Sequence, residues 1–150
     1  MIAQETADEI VARLTALTKR GREFREEAMQ RLAALPGYEW SGIYRLEGET
    51  LRVDAYVGFE TDHTEIPVGR GVCGTAIAEN RNVLVQDVRE LDNYLACSAR
   101  TRSEIVVLIR RGEEVLGQID IDGYEVGGFG ASDEAMLSRI AALIADRWEE

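Results

Sequence analysis

Two cysteines, Cys73 and Cys97, stand 24 positions apart in a chain of 150 residues. Cys73 lies in Gly69-Arg70-Gly71-Val72-Cys73-Gly74, a tight turn leading into a short helix. A thiol near a helix N-terminus has its pKa lowered by the helix dipole. Cys97 lies in Leu95-Ala96-Cys97-Ser98, within a stretch that has no clean period, and Arg100 and Arg102 follow closely enough to stabilise a thiolate. Either cysteine can also be read as a small buried hydrophobe. With one histidine, His63, they are too few for a disulfide scaffold or a structural zinc site. His63 itself, among turn formers, reads as a solvated loop residue.

The second constellation is acidic. Asp120 and Asp122 lie two apart on an apolar strand, so both carboxyl groups share one face and Ile119 and Ile121 the other. Glu104 starts a neighbouring strand, and pairing through a turn at Gly112 brings all three acids to one pocket. Clustered carboxylates cannot all ionise cheaply, so at least one pKa should rise. A carboxylic acid kept neutral near pH 7 can donate a proton or a hydrogen bond. A polar strand face in water is the competing reading. Trp40 and Tyr44 read as pocket lining or aromatic core. The run from Gly69 to Gly74 also matches G-x-G-x-x-G, but the polar segment before it, Glu60 to Glu65, is no buried parallel strand, so a dinucleotide site is rejected.

The elements that must position these groups follow from periodicity. Ile10, Leu14 and Leu17, then Phe24, Ala28, Leu32 and Leu35, recur at helical spacing over an N-terminal region, 1–35. Gly21 either separates two helices or is crossed by one. Pro36-Gly37 closes the region. From residue 38 the period falls to two. Trp40 to Leu46 and Thr50 to Val57 read as strands, as do Asn82 to Val85, Glu104 to Ile109 and Val115 to Ile121. Gly58 to Gly71 reads as a polar connection. Val72 to Glu79 reads as a short helix closed by Asn80, and Asp87 to Arg102 as a functional loop. Ser132 is expected to cap a last helix with Met136, Ile140, Leu143 and Ile144 as its buried stripe. Connections of two to four residues join antiparallel neighbours. The expected class is α+β: one domain over 1–150, with a central antiparallel sheet and N- and C-terminal helices packed on one face.

Composition narrows the function. Seventeen basic against 28 acidic residues give a net charge of −11, which disfavours nucleic acid and anionic membrane surfaces as partners. Hydrophobic residues make up 45%, an ordinary globular share. No apolar run is long enough to span a bilayer, and Met1 to Leu14 lacks the pattern of a secretory signal. The expected location is the cytoplasm.

Five blocks then occur in order: Gly69 to Ala76, Asp87-Val88, Ala96-Cys97, Ser103 to Val107, and Gly117-Gln118-Ile119-Asp120-Ile121-Asp122. Together with the cysteine spacing, this series resembles the free methionine-(R)-sulfoxide reductases, a family of stand-alone GAF domains. The likeness runs from about Trp40 into the final helix. It implies that Cys97 attacks the sulfoxide sulfur and becomes a sulfenic acid, that Cys73 resolves it as a disulfide, and that thioredoxin or a similar dithiol reduces the bridge. It implies that Glu104, Asp120 and Asp122 hydrogen-bond and protonate the sulfoxide oxygen. Trp40 would face the substrate methyl group, with Tyr44, Tyr94 and Ser98 in the binding region. The resemblance implies a homodimer and no metal or organic cofactor.

The chain also departs from that pattern. His63 stands where the family usually has a third cysteine, Ser98 where it commonly has Asp, and Leu108 where it usually has proline. Leu91-Asp92-Asn93-Tyr94 replaces a Pro-Gly-His-like run in the loop that binds the amino acid's polar groups. The alternative from another class is a non-catalytic GAF domain that senses a small ligand or redox state. The chain shows no room for an output domain, and an unreactive ligand would not require both cysteines. A purely structural interaction domain is the third reading.

Overall fold

The computed structural model describes residues 1–95 and 98–149. Its elements are α1 (Gln4–Ala16), α2 (Gly21–Ala33), β1 (Trp40–Glu47), β2 (Thr50–Val57), β3 (Glu65–Pro67), α3 (Gly71–Glu79), β4 (Val83–Val85), β5 (Ser103–Arg111), β6 (Glu114–Gly123) and α4 (Ala131–Asp146). The six strands form one antiparallel sheet in the order β3-β2-β1-β6-β5-β4. This is the expected α+β class. Cys97 lies outside the described residues.

The period-two pattern sorts the side chains of the sheet into two cores. Ile43, Ile105, Val107, Ile109, Ile119 and Ile121 pack against Leu14, Phe24, Leu32, Met136, Ile140 and Ile144 of the three long helices. The terminal helices therefore cover one face, as expected. The opposite face carries Trp40, Tyr44, Val106 and Leu108 and is closed by α3 and the segments around it. Both cores are apolar, and burying an aliphatic side chain contributes about 1.5–3 kcal/mol.

Several boundaries differ from the sequence reading. Gly21 separates two helices: its φ of +60° suits glycine, and its N–H donates to the Arg147 carbonyl at 2.7 Å. The polar connection contains a short edge strand, β3, whose Glu65 and Pro67 point outward and whose Ile66 is buried. One buried residue in three leaves no periodicity to read. Asn82 lies just before β4, and β5 and β6 run past their expected ends. A single 3-10 turn, Val88–Glu90, interrupts the expected loop. Asn80 does close α3, in the left-handed conformation.

Ser132 does not cap α4. The N-cap is Gly130, and Asp133 reaches back to its N–H at 2.9 Å. The same buried carboxyl group accepts from the Tyr38 hydroxyl at 2.6 Å and the Ile2 N–H at 3.2 Å. One side chain thus ties the start of α4 to Ile2 and to Tyr38, just before β1. Replacing it leaves buried donors unmatched. Asp133→Ala should lower unfolding free energy by about 2–4 kcal/mol in urea melts, with Cys73 reactivity toward iodoacetamide unchanged in the folded baseline.

Candidate functional site

Strand register builds the site. Glu104 on β5 lies opposite Asp122 on β6, and Asp120 lies opposite Val106 on one side and Gly42 on the other. Alternation aims all three carboxyl groups away from the helix-covered face, into the second core. Glu104, Asp120 and Asp122 are 4%, 0% and 1% exposed. The solvated-face reading of these acids is excluded.

The first turn of α3 brings Cys73 onto this patch. Its Sγ donates to Glu104 Oε2 at 3.8 Å. Ligand atoms of Cys73, Glu104 and Asp120 lie within 4.8 Å of one another, a spacing that could hold a divalent cation. No conventional donor among the described residues satisfies the carboxyl oxygens of Asp120 and Asp122. Burial pushes the pKa of Asp120 up, against contacts with Glu104 and Cys73 that favour its charged form. Burial pushes Asp122 higher still, and the charge of Asp120 adds to it. A proton on a buried carboxyl group removes the charge that its acidic neighbours would repel.

Gln118 was not singled out by sequence, yet it shares the parity of Asp120 and Asp122. It is fully buried and donates from Nε2 to the Cys73 carbonyl at 3.0 Å, pinning α3 over the acids. Its alternation with the two aspartates was the available signal.

Aromatic side chains form the next wall. The Trp40 indole is fully buried, donates to the Phe59 carbonyl at 3.0 Å, and stacks on Tyr56 with centroids 5.3 Å apart. It also packs against Tyr44 and Phe59. The indole lies across the backbone of Gly42, so any Cβ there would overlap the ring. The Tyr44 hydroxyl donates to the His63 carbonyl at 3.0 Å. His63 is half-buried in the loop.

Around the expected loop, Tyr94 is half-buried against the second core. Ser98 Oγ accepts from the Arg100 N–H at 3.1 Å. Arg100 lies over the Tyr124 ring at 4.2 Å, and Arg102 donates to the carbonyls of Ala99 and Thr101. Both guanidinium groups therefore have partners other than a thiolate. The structure brings Cys73, Glu104, Asp120 and Asp122 together. Trp40 and Tyr44 line the same side of the sheet.

The GAF domain family model matches residues 22–148. The chain belongs to the GAF domain family. As a GAF domain it is 39% identical over 110 residues to the free methionine-R-sulfoxide reductase of Escherichia coli, a match covering 73% of this chain and 66% of that protein, just under two thirds of its length. It is 39% identical to the structure of the type II free methionine-R-sulfoxide reductase of Thermoplasma acidophilum, with a TM-score of 0.78 over 94% of this chain and 93% of that one. The Neisseria meningitidis free methionine-R-sulfoxide reductase in complex with its substrate is 26% identical, with a TM-score of 0.86 over 99% of this chain and 92% of that one. The resemblance read from the motif series is borne out by these relatives.

The raised carboxyl groups carry a sign for stability. Above the ordinary carboxylate range the folded GAF domain keeps protons that the unfolded chain has released. This contribution is complete below that range and is lost as pH rises through the raised folded values. Asp122→Asn removes the charge and keeps the shape. The variant should gain about 1–3 kcal/mol over the parent at pH 9 in urea titrations, and the gain should shrink toward pH 4. At Gly42, Gly42→Ala should cost about 1–3 kcal/mol and shift Trp40 fluorescence, because the ring must leave its place.

Proposed function

We propose that this GAF domain reduces free methionine (R)-sulfoxide to methionine. The observation that carries the reading is the thiol of Cys73 held against a buried set of carboxyl groups, beside an aromatic wall. Similarity to the free methionine-R-sulfoxide reductases supports the choice of substrate. Attack on a sulfoxide requires a nucleophilic sulfur and a proton for the oxygen, and a thiol with raised-pKa acids answers both needs.

Cys97 is the nucleophile on this reading. Its thiolate attacks the sulfoxide sulfur while an acid of the patch protonates the oxygen. The S–O bond of the substrate breaks, the oxygen passes to Cys97 as a sulfenic acid, and methionine leaves with two more electrons on its sulfur. The Cys73 thiol then attacks Cys97, an S–S bond forms and water departs. A dithiol of the thioredoxin type reduces the bridge by exchange. Glu104, Asp120 and Asp122 hold and deliver protons. Trp40 and Tyr44 shape the apolar side of the pocket, and Tyr94 and Ser98 belong to the loop that receives the amino acid's polar groups. The action takes place in the cytoplasm, on a homodimer.

Racemic free methionine sulfoxide, incubated with the protein and dithiothreitol and resolved by chiral chromatography, should lose only the R form. Cys97→Ser should abolish the loss. Cys73→Ser should still release about one methionine per chain in a single turnover but recycle slowly with thioredoxin. Persistence of both sulfoxides would overturn the reading in favour of a ligand sensor, and full activity in Cys97→Ser would remove Cys97 from the nucleophile's role.

A further inference from the structure

Side chains from three elements bring metal-ligating atoms together under α3. Cys73 Sγ lies 3.8 Å from Glu104 Oε2, and ligand atoms of Cys73, Glu104 and Asp120 all lie within 4.8 Å of one another. All three residues are buried. A tetrahedral zinc ion holding sulfur at about 2.3 Å and oxygen at about 2.0 Å sets those two ligand atoms about 3.5 Å apart. The sulfur–oxygen pair of this protein stands within a few tenths of an ångström of that spacing.

A second observation points to a ligand. Among the described residues, no donor meets either carboxyl oxygen of Asp120 or of Asp122, although both side chains are almost wholly buried. Asp122 faces Glu104 across the β5–β6 ladder and shares its strand face with Asp120, so its unmatched oxygens are aimed into the same patch. Two other buried acids are matched: Asp54 by Arg25, and Asp133 by the Tyr38 hydroxyl and the N–H groups of Ile2 and Gly130. In a low-dielectric interior a divalent cation compensates more than one carboxylate at once, which a single proton does not. The sulfur decides which cation. Carboxylates and water suit magnesium and calcium, whereas a thiolate among the ligands selects zinc and its cobalt(II) substitute.

We propose that Cys73, Glu104 and Asp120 bind one divalent ion of the zinc type, with Asp122 beside it, and that the ion reversibly shuts off the reaction at this site. The shut-off rests on the function proposed above, and the binding does not. On binding, the Cys73 S–H bond breaks and its proton passes to the buffer. The electron pair left on sulfur forms the zinc–sulfur bond, so no oxidant or reductant takes part. A sulfur whose electron pair is held by the ion does not attack another sulfur, and carboxylates held by the ion do not deliver protons to a substrate.

The test uses the reduced full chain, with cobalt(II) as an optical probe and zinc as its competitor. Cys97→Ser leaves Cys73 as the one thiol. Cobalt should give this variant a thiolate-to-cobalt absorption band in the near ultraviolet that saturates at one ion per chain, and zinc should abolish the band by displacement. In the same background Glu104→Gln and Asp120→Asn should each weaken zinc at least tenfold, since loss of even an outer partner of a metal ligand costs about 10–100-fold. Circular dichroism checks that each variant folds. If the variants fail to fold, the parent chain decides: zinc should slow alkylation of Cys73 by iodoacetamide at least tenfold, a chelator should restore the rate, and magnesium at the same concentration should leave it unchanged. Absence of the band in folded Cys97→Ser, acid variants that bind zinc as tightly as their background, or equal protection by magnesium overturns the proposal. Single turnover of methionine sulfoxide by the prereduced parent chain, with no dithiol present to sequester the ion, is followed with and without zinc. No methionine in the presence of chelator, with the cobalt band intact, sinks the function reading alone. Undiminished methionine release at saturating zinc overturns the shut-off while leaving the function reading in place.

Discussion

An ionised carboxylate moved from water into an apolar interior without a partner costs more than a domain of this size has to spare. Glu104, Asp120 and Asp122 nevertheless share one buried patch. They can do so because protons remain on the patch and because the Cys73 thiol donates to it. Much of the second core follows from that constraint. The patch must be sealed from water, so α3, Gln118 and the aromatic cluster cover it. It must also keep acids close enough to share protons, and adjacent antiparallel strands do that with no special device.

The division of the sheet into two faces separates stability from chemistry. Three long helices and the isoleucine-rich face form a large apolar core. The opposite face can then hold groups that work against stability. Arg25 and Asp54, both buried, pair with one another, and Arg25 also donates to the Trp148 carbonyl, so the charges near α2 and β2 are mutually matched. Among the described residues, the carboxyl oxygens of Asp120 and Asp122 on β6 have no such partner. That asymmetry is expected where a proton, not a salt bridge, is the useful species.

Glycine does much of the positioning. Gly42 admits the Trp40 indole, Gly74 admits the Pro67 carbonyl, whose oxygen would lie 2.6 Å from a Cβ there, and Gly71 admits Leu95. Each marks a close approach of one element to another on the second face. Together they let the aromatic wall and α3 approach the acids closely.

The periodic parts of this protein were legible in its residues. Alternation at 119–122 places two carboxyl groups opposite two isoleucines whatever the rest of the chain does, because successive side chains of a strand point to opposite sides. The turn at Gly112 pairs β5 with β6, and the α+β class follows from the order of periods. Burial of the acids was not legible, since a half-polar strand face looks the same in water or under a helix, and only the docking of α3 decides it. β3 escaped notice because three residues with one buried side chain carry no period. The cap of α4 passed from Ser132 to Gly130 because the carboxyl group of Asp133 is held by Tyr38, 95 residues away in the chain. The role of Gln118 is likewise tertiary. Its amide group reaches a partner 45 residues distant, and no local pattern records a hydrogen bond that exists only after the elements have met.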